Sequence, residues 1–283
     1  MEPDARHSLK DRVCVITGGG GVLGSAMARG MASAGVLTAI LDIDKEAAGR
    51  VASEISSRWG VTSKGYRADV LDRESLVQVR NQIREELGEI DLLINGAGGN
   101  APAATTKLEQ ITGGELDRLE EGFFGLEPDA FKKVFDLNFT GTLLPSMVFT
   151  RDMVARQKGA VLNISSMNAY KPLTKIPAYS AAKASVNNFT QWLAVHFAKA
   201  GVRVNAIAPG FFMTSQNRFL LTDEQSGALT PRGEKIIAST PMGIFGKPED
   251  LIGTVLYLLS DMSSFVTGIC IPVDGGYSAF GGV

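Results

Sequence analysis

Cysteine is scarce in this sequence. Cys14 and Cys270 are the only two, and both sit in apolar, strand-like runs. That placement predicts buried free thiols and excludes a disulfide framework or a cysteine metal centre, so no metal site is expected. Long hydrophobic runs are also missing: no stretch approaches the ~18 uninterrupted apolar residues of a membrane span. The first residues, Met1 to His7, are polar and lack the apolar core of a signal peptide, so the cytoplasm is the expected compartment. No basic run suggests a membrane surface. A formal net charge of −2 argues against a nucleic-acid partner. Internal repeats and low-complexity linkers are absent as well.

What is present is a chain of 283 residues, 45% of them hydrophobic, in which short β-branched runs alternate with amphipathic stretches. Strands are predicted at Val13–Thr17, Leu37–Asp42, Gly65–Asp69, Asp91–Asn95, Ala160–Ser165, Val202–Ala208 and Gly268–Val273. Helices are predicted between them at Leu23–Ala34, Lys45–Arg58, Arg73–Leu87, Asp129–Gln157, Ala178–Ala200 and Pro248–Leu259. Such alternation implies βαβ units: an α/β fold with one doubly wound, Rossmann-like parallel sheet and helices on both faces. One domain over residues 1–283 is expected. Two stretches break the rhythm, an insertion at 100–128 and a polar segment at 211–240. Each follows a strand and so falls at the carboxyl edge, where ligands bind in open α/β sheets. The second is read as a substrate lid, since long loops in compact domains are often functional.

Val13-Cys14-Val15-Ile16-Thr17-Gly18-Gly19-Gly20-Gly21-Val22-Leu23-Gly24 is an apolar strand, a glycine-rich turn and a helix start. Glycines let backbone N–H groups approach a pyrophosphate, and the helix N-terminus favours its charge. The second strand ends at Asp42. A carboxylate there can bond the adenosine ribose hydroxyls and would repel a 2′-phosphate, so the expected cofactor is NAD. Asp69, with Val70 after it, suits the adenine end. Asn95-Gly96-Ala97-Gly98 supplies small residues where the cofactor would cross the sheet edge. Pro209-Gly210, with Thr214 following, is placed to meet the nicotinamide.

Ser166 lies thirteen residues before Tyr179, and Lys183 lies four after it. Residues four apart share a helix face. A phenol with the usual pKa of about 10 is a poor base at neutral pH. A cation at about 4 Å would favour the phenolate by up to ~4 kcal/mol at an effective dielectric of ~20. Lys183 is therefore expected to bring the Tyr179 pKa down toward neutrality.

Taken together, the segments Thr17–Gly24, Asp69, Asn95–Gly98, Asn138, Ser166, Tyr179 with Lys183, Pro209-Gly210 with Thr214, and Val273-Asp274-Gly275-Gly276 resemble the short-chain dehydrogenase/reductase family over nearly the whole chain. The resemblance implies Tyr179 as acid/base, Lys183 as the residue that tunes it and bonds the nicotinamide ribose, Ser166 as hydrogen-bond donor to the substrate oxygen, and Asn138 as holder of a relay water. Two positions depart from the family pattern. Its middle glycine falls on Val22, with the extra glycine at Gly21, and its Asn-Asn-Ala-Gly reads Asn95-Gly96-Ala97-Gly98. Narrower stretches, among them Ser165-Ser166-Met167-Asn168-Ala169, Leu173–Tyr179 and Asn187–Val195, resemble a sugar-acid branch, the D-mannonate oxidoreductases or fructuronate reductases. That implies interconversion of D-fructuronate and D-mannonate in hexuronate breakdown. Family tetramers use the long tyrosine helix and the C-terminal run, so a homotetramer is implied.

A hexuronate has one carboxylate and several hydroxyls. Lys175 or Arg218 is expected to meet the carboxylate, since cations pair with carboxylates in charge-assisted bonds. Asn100, Asn168 and Gln216 are candidates for the hydroxyls. His196 is expected to be a packed or surface residue, and Phe123-Phe124 to anchor the insertion. The alternatives are an oxidoreductase for another sugar acid or polyol such as gluconate, an oxoacyl carrier reductase, and a non-catalytic NAD-sensing scaffold. Asp42 and the polar lid disfavour the oxoacyl reductase. The intact Ser166, Tyr179 and Lys183 disfavour the scaffold.

Overall fold

Val13 and Val15 pack into one hydrophobic core, while Cys14 and Ile16 pack into another. Successive side chains of a strand point to opposite faces, so a strand covered on both sides must be apolar at every position. The computed structural model describes residues 5–214, 218–223 and 226–282. Its strands are β1 Val13–Thr17, β2 Leu37–Asp42, β3 Ser63–Arg67, β4 Ile90–Asn95, β5 Gly159–Ile164, β6 Val202–Pro209 and β7 Cys270–Val273. They form one seven-stranded parallel sheet in the order β3-β2-β1-β4-β5-β6-β7.

The helices in chain order are α1 Ala5–Leu9, α2 Val22–Ser33, α3 Lys45–Trp59, α4 Arg73–Glu86, α5 Pro128–Phe135, α6 Gly141–Phe149, α7 Arg151–Arg156, α8 Pro177–Phe197, α9 Arg218–Leu221, α10 Pro231–Ala238 and α11 Ile252–Leu259. α2, α3 and α11 cover one face of the sheet through Met27, Val51 and Val255, among others. α4, α6, α7 and α8 cover the other through Leu76, Phe149, Met153 and Leu193. The strand order reverses between β1 and β4. Thr17 pairs with Leu41 on one side and Asn95 on the other, so β1, β2 and β4 end together and open a crevice at their carboxyl ends.

The predicted helix Asp129–Gln157 is broken. A wide π-type turn at Asp136–Thr140 separates α5 from α6, and Gln157, at φ 54°, ends α7. The Asn138 amide donates to the Val134 and Gly99 carbonyls, which draws the backbone out of a regular ladder. β3 ends two residues before Asp69, because the Asp69 carboxylate accepts the Leu71 N–H and turns the chain. Phe123 and Phe124 are not an anchor. They are 69% and 60% exposed and meet only edge to face, with ring centres 5.6 Å apart. The insertion is rooted instead by Ala101 and Ala104, which pack with Val134, Ala178 and Tyr179. Both cysteines are free, Cys14 buried and Cys270 half-buried. Burial pushes the Cys14 thiol pKa far up. Among the described residues, no helix is long and apolar enough to cross a membrane.

Candidate active site

The glycine turn is held by backbone contacts that a side chain would obstruct. Gly18 has a φ of 64°, and an added Cβ there would lie 2.8 Å from the Ala97 Cα. A Cβ on Gly24 would lie 2.2 Å from the Gly18 carbonyl oxygen. Gly21 caps α2 with no side-chain hydrogen bond, which leaves the first N–H groups of the helix facing outward. The Thr17 hydroxyl accepts the Gly96 and Ala97 N–H groups at 3.1 and 3.2 Å, tying the turn after β4 to the end of β1. In the sequence Thr17 stood out only as the first residue of the glycine turn. A hydroxyl closing an otherwise apolar strand is the signal that could have found this tie.

A cavity of about 570 Å³ opens over these strand ends. Gly18, Gly21–Gly24, Asp42, Asp69, Val70, Gly96, Ala97, Gly210 and Thr214 all border it. Asp42 accepts the Gly20 N–H at 3.0 Å and the Asp44 N–H at 3.1 Å. A carboxylate has about four acceptor sites, so it can still receive two ribose hydroxyls. The helix cap of α3 is Asp44, not Asp42. A side-chain-free turn, an uncapped helix N-terminus and a carboxylate with spare acceptor sites together fit a dinucleotide. Leu137, Phe211 and Phe212 also border the cavity and were not among the expected cofactor residues.

Asn95 is not at the cavity wall. It is 1% exposed, and its amide donates to Ser146 Oγ at 2.9 Å and to Asn163 Oδ1 at 2.8 Å. Asn163 in turn donates to Thr190 Oγ1 at 2.9 Å. This buried polar chain joins β4, β5, α6 and α8. Pro209 ends β6, and the Gly210 N–H bonds the Val273 carbonyl at 3.0 Å.

Tyr179 lies in the first turn of α8, set by Pro177 at the helix start. The Ser166 hydroxyl lies near its phenol, and the Asn168 N–H donates to Ser166 Oγ at 3.2 Å. Lys183 is 3% exposed, and its ammonium lies 5.5 Å from the centre of the Tyr179 ring. It donates to the Ile164 carbonyl at 2.7 Å. An added Cβ on Gly98 would come within 3.2 Å of Lys183 Nζ and 2.6 Å of Asn138 Oδ1, so all three groups meet at the cavity edge. Asn138 also accepts the Gly99 N–H at 3.2 Å, and it thereby pins this turn.

The electrostatics differ from the expectation. Burial raises the Tyr179 pKa above its ordinary value, and the Ser166 hydroxyl offsets only part of that. Burial also brings Lys183 down to about 8. Desolvation disfavours both charged forms, and at 5.5 Å from the ring centre the lysine does not outweigh it. The phenol is thus held protonated, with an ammonium beside it that gives up its proton more readily than an ordinary lysine.

The substrate candidates differ in their surroundings. Asn168 is 4% exposed, with its Oδ1 buried and without a hydrogen-bond partner. Asn100 is exposed and donates to Thr105 Oγ1 at 2.9 Å, within the insertion. Lys175 meets Glu109 at 4.0 Å. Arg218 opens α9 and is exposed. Gln216 lies outside the described residues. His196 stacks on Trp192, ring centres 4.7 Å apart, far along α8 from the tyrosine.

A family described as enoyl-(acyl carrier protein) reductase matches residues 21–278. An uncharacterized oxidoreductase, UxuB, of Bacillus subtilis is 52% identical over 278 residues, covering 98% of each chain. A 2-dehydro-3-deoxy-D-gluconate 5-dehydrogenase of Pseudoalteromonas atlantica is 30% identical over 96% of this chain and 98% of its own. A crystal structure from Haemophilus influenza, provisionally described as a D-mannonate oxidoreductase and containing bound NAD, is 49% identical with a TM-score of 0.93, covering 99% of both chains.

Proposed function

The chain belongs to the short-chain dehydrogenase/reductase family and is an oxidoreductase; from that premise we propose that it uses NAD to interconvert D-fructuronate and D-mannonate. The observation that carries the chemistry is the buried Lys183 ammonium 5.5 Å from the centre of the Tyr179 ring, with the Ser166 hydroxyl near the phenol and Gly98, at the cavity wall, against the lysine. The sugar acid is supported by the likeness to the Haemophilus structure. The buried, unpartnered Oδ1 of Asn168, two residues after Ser166, supports it too.

Gly18, Gly21–Gly24 and Gly96 would receive the pyrophosphate side of the cofactor, Asp42 the adenosine ribose, and Asp69 and Val70 the adenine. Gly210 and Thr214 would border the nicotinamide. When bound, NADH would supply the hydride for the ketone carbon, and NAD would take it up in the reverse direction. Tyr179 gives its proton to the developing alkoxide, the role that burial favours by holding that proton in place. Ser166 turns its hydroxyl to the same oxygen and stabilises its charge. Lys183 keeps two ammonium protons beyond the Ile164 bond, enough to bind the nicotinamide ribose and to help restore the phenol proton. Asn138 positions Gly98 and Gly99 and would hold a relay water nearby. The unpartnered Oδ1 of Asn168 would accept a substrate hydroxyl.

A second sugar acid is a specific competitor, because the Pseudoalteromonas relative is named for 2-dehydro-3-deoxy-D-gluconate. NADH consumption, measured with fructuronate, a 5-keto gluconate and an acetoacetyl thioester, separates the readings. Turnover on fructuronate is expected. Turnover on the thioester alone would overturn the sugar-acid reading. Segment 211–240 is proposed as the substrate lid. A homotetramer is proposed through the exposed side of α8, where Trp192 is 57% and Val195 80% exposed. Light scattering that gave a monomer would remove that assembly.

A further inference from the structure

Among the described residues, the two long excursions from the sheet meet through Glu109. Its carboxylate lies 4.0 Å from the Lys175 ammonium and 3.3 Å from that of Lys235. Lys175 stands four residues before Tyr179, and its carbonyl accepts the Thr106 N–H from the insertion at 3.0 Å. Lys235 lies on α10, inside the proposed lid. The insertion side is anchored where it matters for chemistry, since Ala101 and Ala104 pack with Ala178 and Tyr179. On the lid side, Ile236, next to Lys235, is buried. An added Cβ on Gly233 would lie 2.3 Å from the Leu221 carbonyl oxygen, so α10 is seated closely against the end of α9. One carboxylate therefore spans from the packing shell of the tyrosine to a seated helix of the lid.

We propose that Glu109 is a positioning residue that holds α10, a described helix of the proposed lid, in register with the Tyr179 region by bridging Lys175 and Lys235. The proposal rests on the reading of Tyr179 as the acid/base. Each ion pair is partly solvated, with side-chain exposures of 39%, 51% and 72% for Lys175, Glu109 and Lys235, so each alone is weak. Their effect lies in connection: releasing one end lets the lid explore other positions, and substrate must then bind a less populated arrangement. That lowers apparent affinity by the fraction lost and leaves the bound reaction unchanged.

The sign of the effect distinguishes this role from simple field effects. The substrate of the proposed reaction is an anion. Were Glu109 only a nearby negative charge, its removal would strengthen substrate binding. A bridge predicts the opposite. In the full-length protein, Glu109→Gln should raise KM for fructuronate about 3- to 10-fold with kcat within about twofold. Lys235→Gln should match it, and the double variant should be no worse than either single one. Without any substrate, backbone amide exchange in 231–238 should quicken several-fold in each variant, and in the wild type at high salt, where exposed pairs are screened. An unchanged or lowered KM, or additive effects in the double variant, would overturn the bridge. The exchange measurement also separates the two readings. Glu109-dependent protection in a protein inactive on fructuronate keeps the bridge and removes the substrate. Activity on fructuronate without such protection does the reverse.

Discussion

The turn after β1 and the first turn of α8 solve opposite problems. The first works by having no side chains: Gly18 and Gly24 sit where any Cβ would meet backbone. The second works through side chains, with Tyr179 and, one turn on, Lys183, both shifted by being taken out of water, and with Ser166 brought in from the turn after β5. In the first region shape is the function, and a methyl group is the most damaging change. In the second, shape is easily kept while the chemistry is removed.

Substitutions can test that contrast from either side. Tyr179→Phe keeps the ring and removes the exchangeable proton. Its kcat should fall by about 10³-fold, within the usual range for loss of a general acid, with NADH affinity within about twofold by fluorescence titration. Wild-type-like turnover would move the acid/base role elsewhere. In the native enzyme, burial keeps the phenol protonated past its ordinary range, so reduction should be flat through neutral pH. Oxidation, which needs the phenolate, should climb as pH rises.

Lys183→Met is the next largest, with kcat down about 100-fold and a distinct signature in stability. Burial holds Lys183 at about 8 against an ordinary value of 10.5. Between these values the unfolded chain binds the proton and the folded protein does not. The free energy of unfolding therefore rises with pH across that window, and this contribution is lost as pH falls through about 8. The methionine variant should lack that part of the slope in denaturation curves taken from pH 8 to 10.5. An unchanged slope would mean that Lys183 stays charged.

Gly24→Ala attacks the other region. Its Cβ would stand 2.2 Å from the Gly18 carbonyl oxygen, and overpacking of this kind costs about 1–3 kcal/mol. NADH affinity should drop ~10-fold or more, while kcat at saturating cofactor changes less. A kcat loss with unchanged affinity would invert the comparison. The smallest effects belong to Lys175→Ala and Arg218→Ala. At least one of them should raise KM for fructuronate by about 3- to 10-fold, and for Lys175 the rise should persist in the Glu109→Gln background, where the bridge is already broken. Changes below twofold in both would remove the pair from carboxylate recognition.

The sheet was legible in the sequence for a local reason. Strands covered on both faces are continuous apolar runs, and Val13–Thr17 and Leu37–Asp42 match the structure end for end. Boundaries set by side chains were less visible. The Asp69 turn shortens β3, and the Asn138 amide interrupts what the sequence presents as one long helix. The tyrosine and lysine could be paired because a helix fixes their spacing. The direction of the Tyr179 pKa could not be read, because it depends on how much water the folded chain excludes. Asn95 marks another limit. Its place at a strand end suggested the cofactor, but its side chain points into the sheet, toward partners 51 and 68 residues away in the chain. Glu109 meets Lys235 across 126 residues, and no local pattern announces such a contact.

The buried chain Asn95–Asn163–Thr190, with Ser146 beside it, has a kinematic consequence. Shearing β4 against β5, or α6 and α8 against the strands beneath them, would strand amides and hydroxyls in a dry interior, at roughly 1–3 kcal/mol for each group left unmatched. The β4–β5 side of the crevice is thereby denied internal sliding, and the Thr17 hydroxyl, accepting the Gly96 and Ala97 N–H groups, ties it to β1. Whatever freedom the molecule has for admitting and releasing its substrate is left to the excursions above the frame. The frame itself behaves as a fixed bed on which the reacting atoms are aligned once, during folding, rather than anew at every turnover.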